Sequence, residues 1–314
     1  MQTAHAQPNK SKKDAKADER LVDTASVSFL LCCQTCIIKE NSAGRRITMG
    51  ATDVHIDEDL CTGCGACVHD CIQHNIVLRE GKAHPLDYCM KCGHCVAICP
   101  EGAPSIPAYA DSPIDFDPAT FDLPTENLLN SIKFRRSIRA FKDEPISMEH
   151  LHLLMEAGGH TPTAKNTQMC RFDFLQDSLP EFKELIWSYL SEVYETDRIM
   201  PIPAETLGRF IENRRADPKD DYLFRDAPAV LFIESPDPLD AGLAAGAIEM
   251  VAHTLGIGVL YNGYLRRVVD SCPAARAYFD MSDERGLNVC MLLGYQQKRY
   301  YRTAPRRFPS VVLR

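Results

Sequence analysis

The sequence predicts an α+β protein in two parts. A small cysteine-dense module, folded around inorganic cofactors, precedes a sandwich of helices around a central sheet. Three observations carry this reading. Eight of the fourteen cysteines fall into two matched runs, CTGCGACVHDC at 61–71 and CMKCGHCVAIC at 89–99. The texture turns from short, acidic and cysteine-rich to ordinary globular sequence at Glu126. Beyond that point strand-like and helix-like segments follow one another without the regular βαβ repeat of a doubly wound parallel sheet.

The bulk numbers set the limits. The 314 residues are 45% hydrophobic and 25% charged, enough apolar material for a core in one large or two ordinary domains. A formal charge of −8 leaves no general basic surface, so no nucleic-acid partner is expected. No apolar run approaches the ~20 residues of a membrane helix, and the short SFLLCC near residue 30 with four scattered lysines makes a weak signal peptide. Eight cysteines at metal-ligand spacing favour a reducing compartment, so a soluble cytoplasmic protein is expected.

Taken in order, residues 1–48 mix Lys, Asp, Ala and Ser without a sustained period and read as a disordered extension, with Met49 as a natural start. Residues 49–110 hold too few large apolar side chains to fold unaided, and form the cofactor-dependent module. Residues 111–125, DSPIDFDPATFDLPT, carry three prolines and four aspartates and read as a linker. Residues 126–314 make the globular domain. LLNSIKFRR and SMEHLHLLMEAGG have helical spacing, the second opened by Ser147 as N-cap and closed by Gly158 and Gly159. RFDFLQ alternates as a strand, and AVLFIE and NVCMLLGY read as buried strands. DPLDAGLAAGAIEMVAHTLGIG is a long Ala-rich helix ended by glycine.

Both cysteine runs follow C-x2-C-x2-C-x3-C. Three thiolates at i, i+3 and i+6 wrap a compact centre, and a fourth must come from elsewhere. Structural zinc prefers paired C-x2-4-C ligands, and buried free thiols need no such spacing. The doubled pattern resembles bacterial two-cluster ferredoxins, in which the fourth cysteine ligates the other cluster. The resemblance implies one 4Fe–4S centre on Cys61, Cys64, Cys67 and Cys99, and a second on Cys89, Cys92, Cys95 and Cys71. Gly65 and Gly93, lacking a Cβ, are read as letting backbone amides approach the cluster sulfurs. Ile72 stands where that pattern usually has proline.

Three polar segments follow, the first of which, taken alone, reads more often as a solvated basic face. KFRRSIRAF at 133–141 places Arg135, Arg136, Ser137 and Arg139 within five residues, a set able to grip a phosphate. TPTAKNTQ at 161–168 offers amide and hydroxyl groups to a heterocycle rim. LLGYQQKRYYRTAPRR at 292–307 sets five basic residues after a strand end. In this order the segments resemble the FMN-binding elements of the nitroreductase family over about residues 126–310.

That resemblance implies a fold, a site and an activity. The fold is a helix-flanked sheet rich in antiparallel pairs. Arg135, Arg136, Ser137 and Arg139 would contact the flavin phosphate and ring edge. Pro162, Thr163, Ala164, Asn166 and Gln168 would line the isoalloxazine and ribityl, Arg302 and Arg306 would complete the phosphate site, and Asn262 and Gly263 would lie beside the flavin. Thr163 replaces the usual serine, and Met169 with Cys170 replaces a common Pro-Trp pair. The expected protein is a homodimeric oxidoreductase that takes electrons through its clusters, from external ferredoxin or NAD(P)H, and reduces nitroaromatics, quinones or similar electron-poor rings. No catalytic side chain is expected, since the flavin performs the chemistry.

Alternatives at the level of function are an electron-transfer module serving a partner protein, and NAD(P)H reduction of the flavin with the clusters serving another acceptor. Gly256, Gly258 and Gly263 have the wrong spacing for a dinucleotide fingerprint. Cys32, Cys33 and Cys36 read as part of the extension, Cys170, Cys272 and Cys290 as inert core thiols, and His253 as a packed histidine.

Overall fold

The computed structural model describes residues 54–196 and 198–314, which belong to one compact unit. The expected extension at 1–48, with Met49 and with Cys32, Cys33 and Cys36, lies outside the described residues.

The cysteine module is built from two short antiparallel pairs and two one-turn helices. Strand β1 (His55–Ile56) pairs with β4 (Pro104–Ser105), and β2 (Ile76–Arg79) pairs with β3 (Lys82–Pro85). The β2–β3 hairpin turns through Glu80 and Gly81, both at positive φ, as its two-residue loop requires. Helices α1 (Ala66–Asp70) and α2 (His94–Ile98) follow Gly65 and Gly93, which cap them at φ 77° and 76°. A side chain on Gly93 would meet nothing within 4 Å, and one on Gly65 only ordinary contacts. Their conformation therefore requires glycine, rather than a close approach. Close approach belongs to Gly63, where a Cβ would lie 2.0 Å from the Gly81 carbonyl oxygen. The module's core is small: Val54, Ile56, Ile76, Ala83 and Ala103 with Cys61, Cys67 and Cys95.

In the expected linker, Asp117 caps a single helical turn, α3 (Pro118–Phe121), and α4 (Thr125–Phe134) follows Pro124. Helix α4 buries none of its residues.

The larger part is organised by one antiparallel sheet in the order β5–β6–β8–β7, formed by β5 (Arg171–Leu175), β6 (Ala229–Ser235), β7 (Ile257–Tyr261) and β8 (Gly286–Tyr295). All seven residues of β6 are buried, and strand alternation divides them between two cores. Ala229, Leu231 and Ile233 join Met291 and Leu293 of β8 beneath α5 (Met148–Gly159) and α8 (Pro238–Thr254). Val230 and Phe232 join Cys290 and Leu292 on the other face, under α6 (Leu179–Glu195), α7 (Ala204–Ala216), α9 (Gly263–Ser271) and α10 (Pro273–Tyr278). This is the expected sandwich.

Helix α5 ends at the expected glycine pair, on Gly159, and Gly158 has a packing role as well: a Cβ there would come within 2.9 Å of Ile248 and 3.1 Å of Phe172, so its smallness lets α5 pack on α8 and β5. The Ala-rich helix, expected to run to Gly258, stops at Thr254, and Ile257–Tyr261 is strand β7, because Gly256 at φ 72° terminates α8 and reverses the chain into the sheet.

Candidate functional site

The eight cysteines surround two cavities in crossed sets. Cys61, Cys64, Cys67 and Cys99 line one with Ile56, Ala83 and Ala103. Cys71, Cys89, Cys92 and Cys95 line the other with Val54, Ile76 and Met90. The crossing arises because α1 and α2 pack side by side, each carrying its third cysteine inward as Cys67 and Cys95 and handing its fourth to the neighbouring cavity. Each set surrounds a space instead of converging on a point: among the described residues no three His, Cys, Asp or Glu side chains come close enough for a single ion.

The donor set fits an iron–sulfur cluster on three counts. All four ligands in each set are thiols, the cluster's preferred donors. Burial pushes the Cys67 thiol up and that of Cys95 to about 11, with the neighbouring cysteines adding to both. Crowded thiolates therefore need cations among them. Backbone amides already point at the sulfurs: Asn75 N–H donates to Cys71 Sγ at 3.3 Å, Ala83 N–H to Cys61 Sγ at 3.5 Å, and Lys91 N–H to Cys89 Sγ at 3.2 Å. Such bonds tune a cluster's potential. Lys82 Nζ donates to the carbonyls of Glu58 and Cys61 at 2.7 and 2.6 Å and so fixes the loop leading into the first cavity.

A third cavity lies under the RRSIR stretch, lined by Arg135, Arg136, Glu249, His253, Gly258 and Tyr300 among others. The stretch runs beside β7, with Ser137 bridged to Val259 and Ile138 N–H donating to the Val259 carbonyl at 2.9 Å. Gly258 is required there, since a Cβ would fall 2.7 Å from the Ile138 side chain. Arg135 and Arg136 diverge. Arg135 Nη1 donates to Glu249 Oε1 at 2.8 Å, an ion pair in which Glu249 is buried. Arg136 lies 4.6 Å over the Tyr300 ring, and its buried Nε has no acceptor. An orphaned guanidinium N–H at a cavity suits an anionic group. Ser137 and Arg139 are exposed, as are Arg302 and Arg306 on a C-terminal stretch without helix or strand. Burial, followed by the Glu249 charge, pushes the Tyr261 hydroxyl well up.

The amide loop is organised, and it reaches toward the cysteine module. Thr163 begins a short 3-10 turn, Ala164–Asn166, whose N–H at Ala164 donates to Asp240 Oδ1 at 3.3 Å. Lys165, Asn166 and Gln168 all hold positive φ, a conformation that costs of order 1 kcal/mol or more per non-glycine residue and clusters at functional loops. Asn166 Nδ2 donates to the carbonyls of Met90 (3.2 Å) and Lys91 (2.8 Å), both between Cys89 and Cys92. Tyr109 OH donates to the Lys91 carbonyl at 3.1 Å and accepts from Asn166 Nδ2 (3.2 Å) and Gln168 Nε2 (3.0 Å). Pro162 and Ala164 are exposed. Asn262 serves the fold: its Oδ1 caps α9 by accepting from Leu265 N–H at 2.9 Å, and its Nδ2 donates to the Leu223 carbonyl at 2.7 Å. Gly263 is exposed at the start of α9.

Sequence reasoning missed Tyr109, Glu249 and Tyr300. Nothing in PAYAD marks Tyr109, and the other two are joined to the site only by tertiary contact. It also missed a carboxyl pair, the half-buried Asp173 on β5 and the buried Glu234 on β6. Both Glu234 oxygens lack a donor, and burial and then the charge of Asp173 push its carboxyl to about 7. Cys272 and Cys290 are buried, as expected, with Cys290 pushed well up by burial, while Cys170 is only partly buried. His253 packs against Phe134 at the cavity edge.

The Nitroreductase family model matches residues 132–295, and a 4Fe-4S dicluster domain model matches residues 53–100. An NADPH-dependent oxidoreductase of Staphylococcus saprophyticus is 29% identical over 148 residues, 46% of this chain and 57% of the relative. One polypeptide of the H(2):CoB-CoM heterodisulfide,ferredoxin reductase of Methanothermobacter thermautotrophicus is 44% identical over 68 residues, covering 16% of this chain and 10% of that polypeptide. The chain thus spans a little over half the length of the first of these relatives and a tenth of the second. Among solved structures, a nitroreductase with bound FMN from Bacteroides fragilis aligns over 60% of this chain and 100% of its own, with 19% identity and a TM-score of 0.49. An FMN-dependent nitroreductase from Clostridium difficile R20291 aligns over 59% and 98%, with 22% identity and a TM-score of 0.45.

Proposed function

The chain belongs to the nitroreductase family and is an oxidoreductase, and from that premise we propose that it draws electrons through two 4Fe–4S clusters into FMN and delivers them to an electron-poor small molecule such as a nitroaromatic or a quinone. The carrying observation is the crossed arrangement of the eight cysteines around two cavities, inside the same compact unit as the sheet of the family fold. In this reading residues 49–110 are the cluster module, 111–125 the linker and 126–314 the flavin domain.

When bound, the clusters supply one-electron carriage and FMN supplies two-electron chemistry at the substrate. The chain's own residues do the rest. Cys61, Cys64, Cys67 and Cys99 hold one cluster, and Cys71, Cys89, Cys92 and Cys95 hold the other. Arg136 binds the flavin phosphate through its unpartnered N–H, with Ser137, Arg139, Arg306 and, more peripherally, Arg302. Arg135, neutralised by Glu249, fixes the floor of that site. Thr163, Asn166 and Gln168 present polar groups to the flavin rim, with Pro162 and Ala164 shaping the loop and Asn262 and Gly263 supporting the far side.

A homodimer fits the exposed apolar surface. Leu128, Leu129 and Ile132 are uncovered on α4, as are Phe308, Val311, Val312 and Leu313 on the C-terminal stretch, and such an area is consistent with a second copy. No helix among the described residues is long and apolar enough to cross a membrane, and the thiol-rich module suits the cytoplasm. The NADPH-dependent relative favours a second reading, in which a reduced nicotinamide replaces a ferredoxin as donor.

Metal and flavin analysis after anaerobic purification tests the reading. About eight iron and about eight labile sulfide per chain, with about one FMN, are expected. Zinc without sulfide would overturn the cluster assignment.

A further inference from the structure

Resting on that reading, we infer that the cluster held by Cys71, Cys89, Cys92 and Cys95 is the one that passes electrons to the flavin, and that Tyr109 is the positioning residue for the transfer. Three observations converge. The wall of this cavity is bonded to the flavin loop: Met90 lines it, and the carbonyls of Met90 and Lys91 accept from Asn166. Among the described residues, none that lines the cavity of Cys61, Cys64, Cys67 and Cys99 is hydrogen-bonded to that loop. The two cavities adjoin, since α1 and α2, which carry Cys67 and Cys95, pack side by side. The order is then external donor, first cluster, second cluster, flavin.

Tyr109 closes the junction. Its hydroxyl donates to the Lys91 carbonyl and accepts from both Asn166 and Gln168, so one oxygen ties the Cys89–Cys92 segment to two residues of the flavin loop. The tie also selects the loop conformation: Asn166 and Gln168 hold positive φ, and their amides are aimed by bonds to this phenol. Electrons balance simply. A reduced one-electron carrier protein such as a ferredoxin reduces the first cluster by one electron. Each passage reoxidises the second cluster by one electron. A pair of passages, with protons from water, completes flavin reduction.

The test is Tyr109→Phe, which keeps the ring and removes the hydroxyl. Iron, sulfide and FMN contents and the cluster spectra should match wild type. Amide hydrogen exchange should rise in both 89–92 and 161–168. Flavin bleaching after rapid mixing with a reduced ferredoxin should slow by about tenfold, since a misplacement of about 1 Å alone can cost ~100-fold in an orientation-dependent step. Oxidation of the pre-reduced flavin by a quinone should be unchanged, a separation that general loosening of the fold would not produce. Wild-type bleaching and exchange in a fully loaded variant would overturn the inference while leaving the proposed function standing. Wild-type protein without clusters or flavin would overturn both.

Discussion

Arg135 and Arg136 are adjacent in the chain yet hold opposite electrostatic positions. Arg135 is committed to the buried Glu249, whereas Arg136 keeps a buried N–H without an acceptor above the Tyr300 ring. Alanine at Arg136 should therefore weaken FMN binding by about 1.5–3 kcal/mol, the scale of a hydrogen bond to a charged group. That corresponds to roughly ten- to a hundredfold in Kd. The melting temperature of the flavin-free protein should hardly move. Alanine at Arg135 should do the reverse, lowering apoprotein stability by about 1–3 kcal/mol because Glu249 loses its partner. Flavin titration and thermal melting of both variants separate the cases, and a larger Kd change at Arg135 would contradict the assignment. The RRSIR stretch was legible as a cluster of cations from charge and spacing. Which arginine remains available was not, because Glu249 lies more than a hundred residues away and joins the site only through folding.

The sheet shows how elements were readable or hidden. AVLFIE announced β6 because a strand buried on both faces needs apolar residues at every position. β7 was hidden because two of its constraints are tertiary: Gly256 reverses the chain after α8, and Gly258 gives way to Ile138. The buried carboxyl of Glu234 on β6 gives the sheet a pH dependence. It faces Asp173 on β5, with Arg171 ion-paired to Asp173 at 2.9 Å and Arg285 also near. Its folded pKa, about 7, lies above the ordinary value near 4.5. The folded state therefore binds the proton more tightly, and this contribution is full below the ordinary value and declines as pH rises to about 7. Glu234→Gln carries no charge to bury, so its stability relative to wild type should improve by up to about 1.4 kcal/mol per pH unit across that window. Urea unfolding at about pH 5 and about pH 7 checks this, and an equal wild-type-to-variant difference at both would refute it.

At the scale of the molecule, the cluster module and the flavin domain depend on different sources of stability. The module's few apolar residues pack with six of the eight thiols, Cys64 and Cys92 being exposed, so in the proposed reading metal binding supplies much of its folding energy. The larger part has two apolar cores around its own sheet. The crossed arrangement of the cysteines was legible only through the resemblance to two-cluster ferredoxins, because spacing marks three thiols of each set while the fourth comes from the other run. The junction through Tyr109 was not, since a tyrosine in an unremarkable stretch acquires its role from the loop that docks on it. The direction of electron flow is the central claim, and rapid mixing of the oxidised, fully loaded chain with a reduced ferredoxin under argon tests it most directly. Cluster absorbance should bleach first and flavin absorbance should follow, with both reoxidised when a quinone is added. Flavin that bleaches with NADPH alone while the clusters stay oxidised, and that does not respond to reduced ferredoxin, would contradict it.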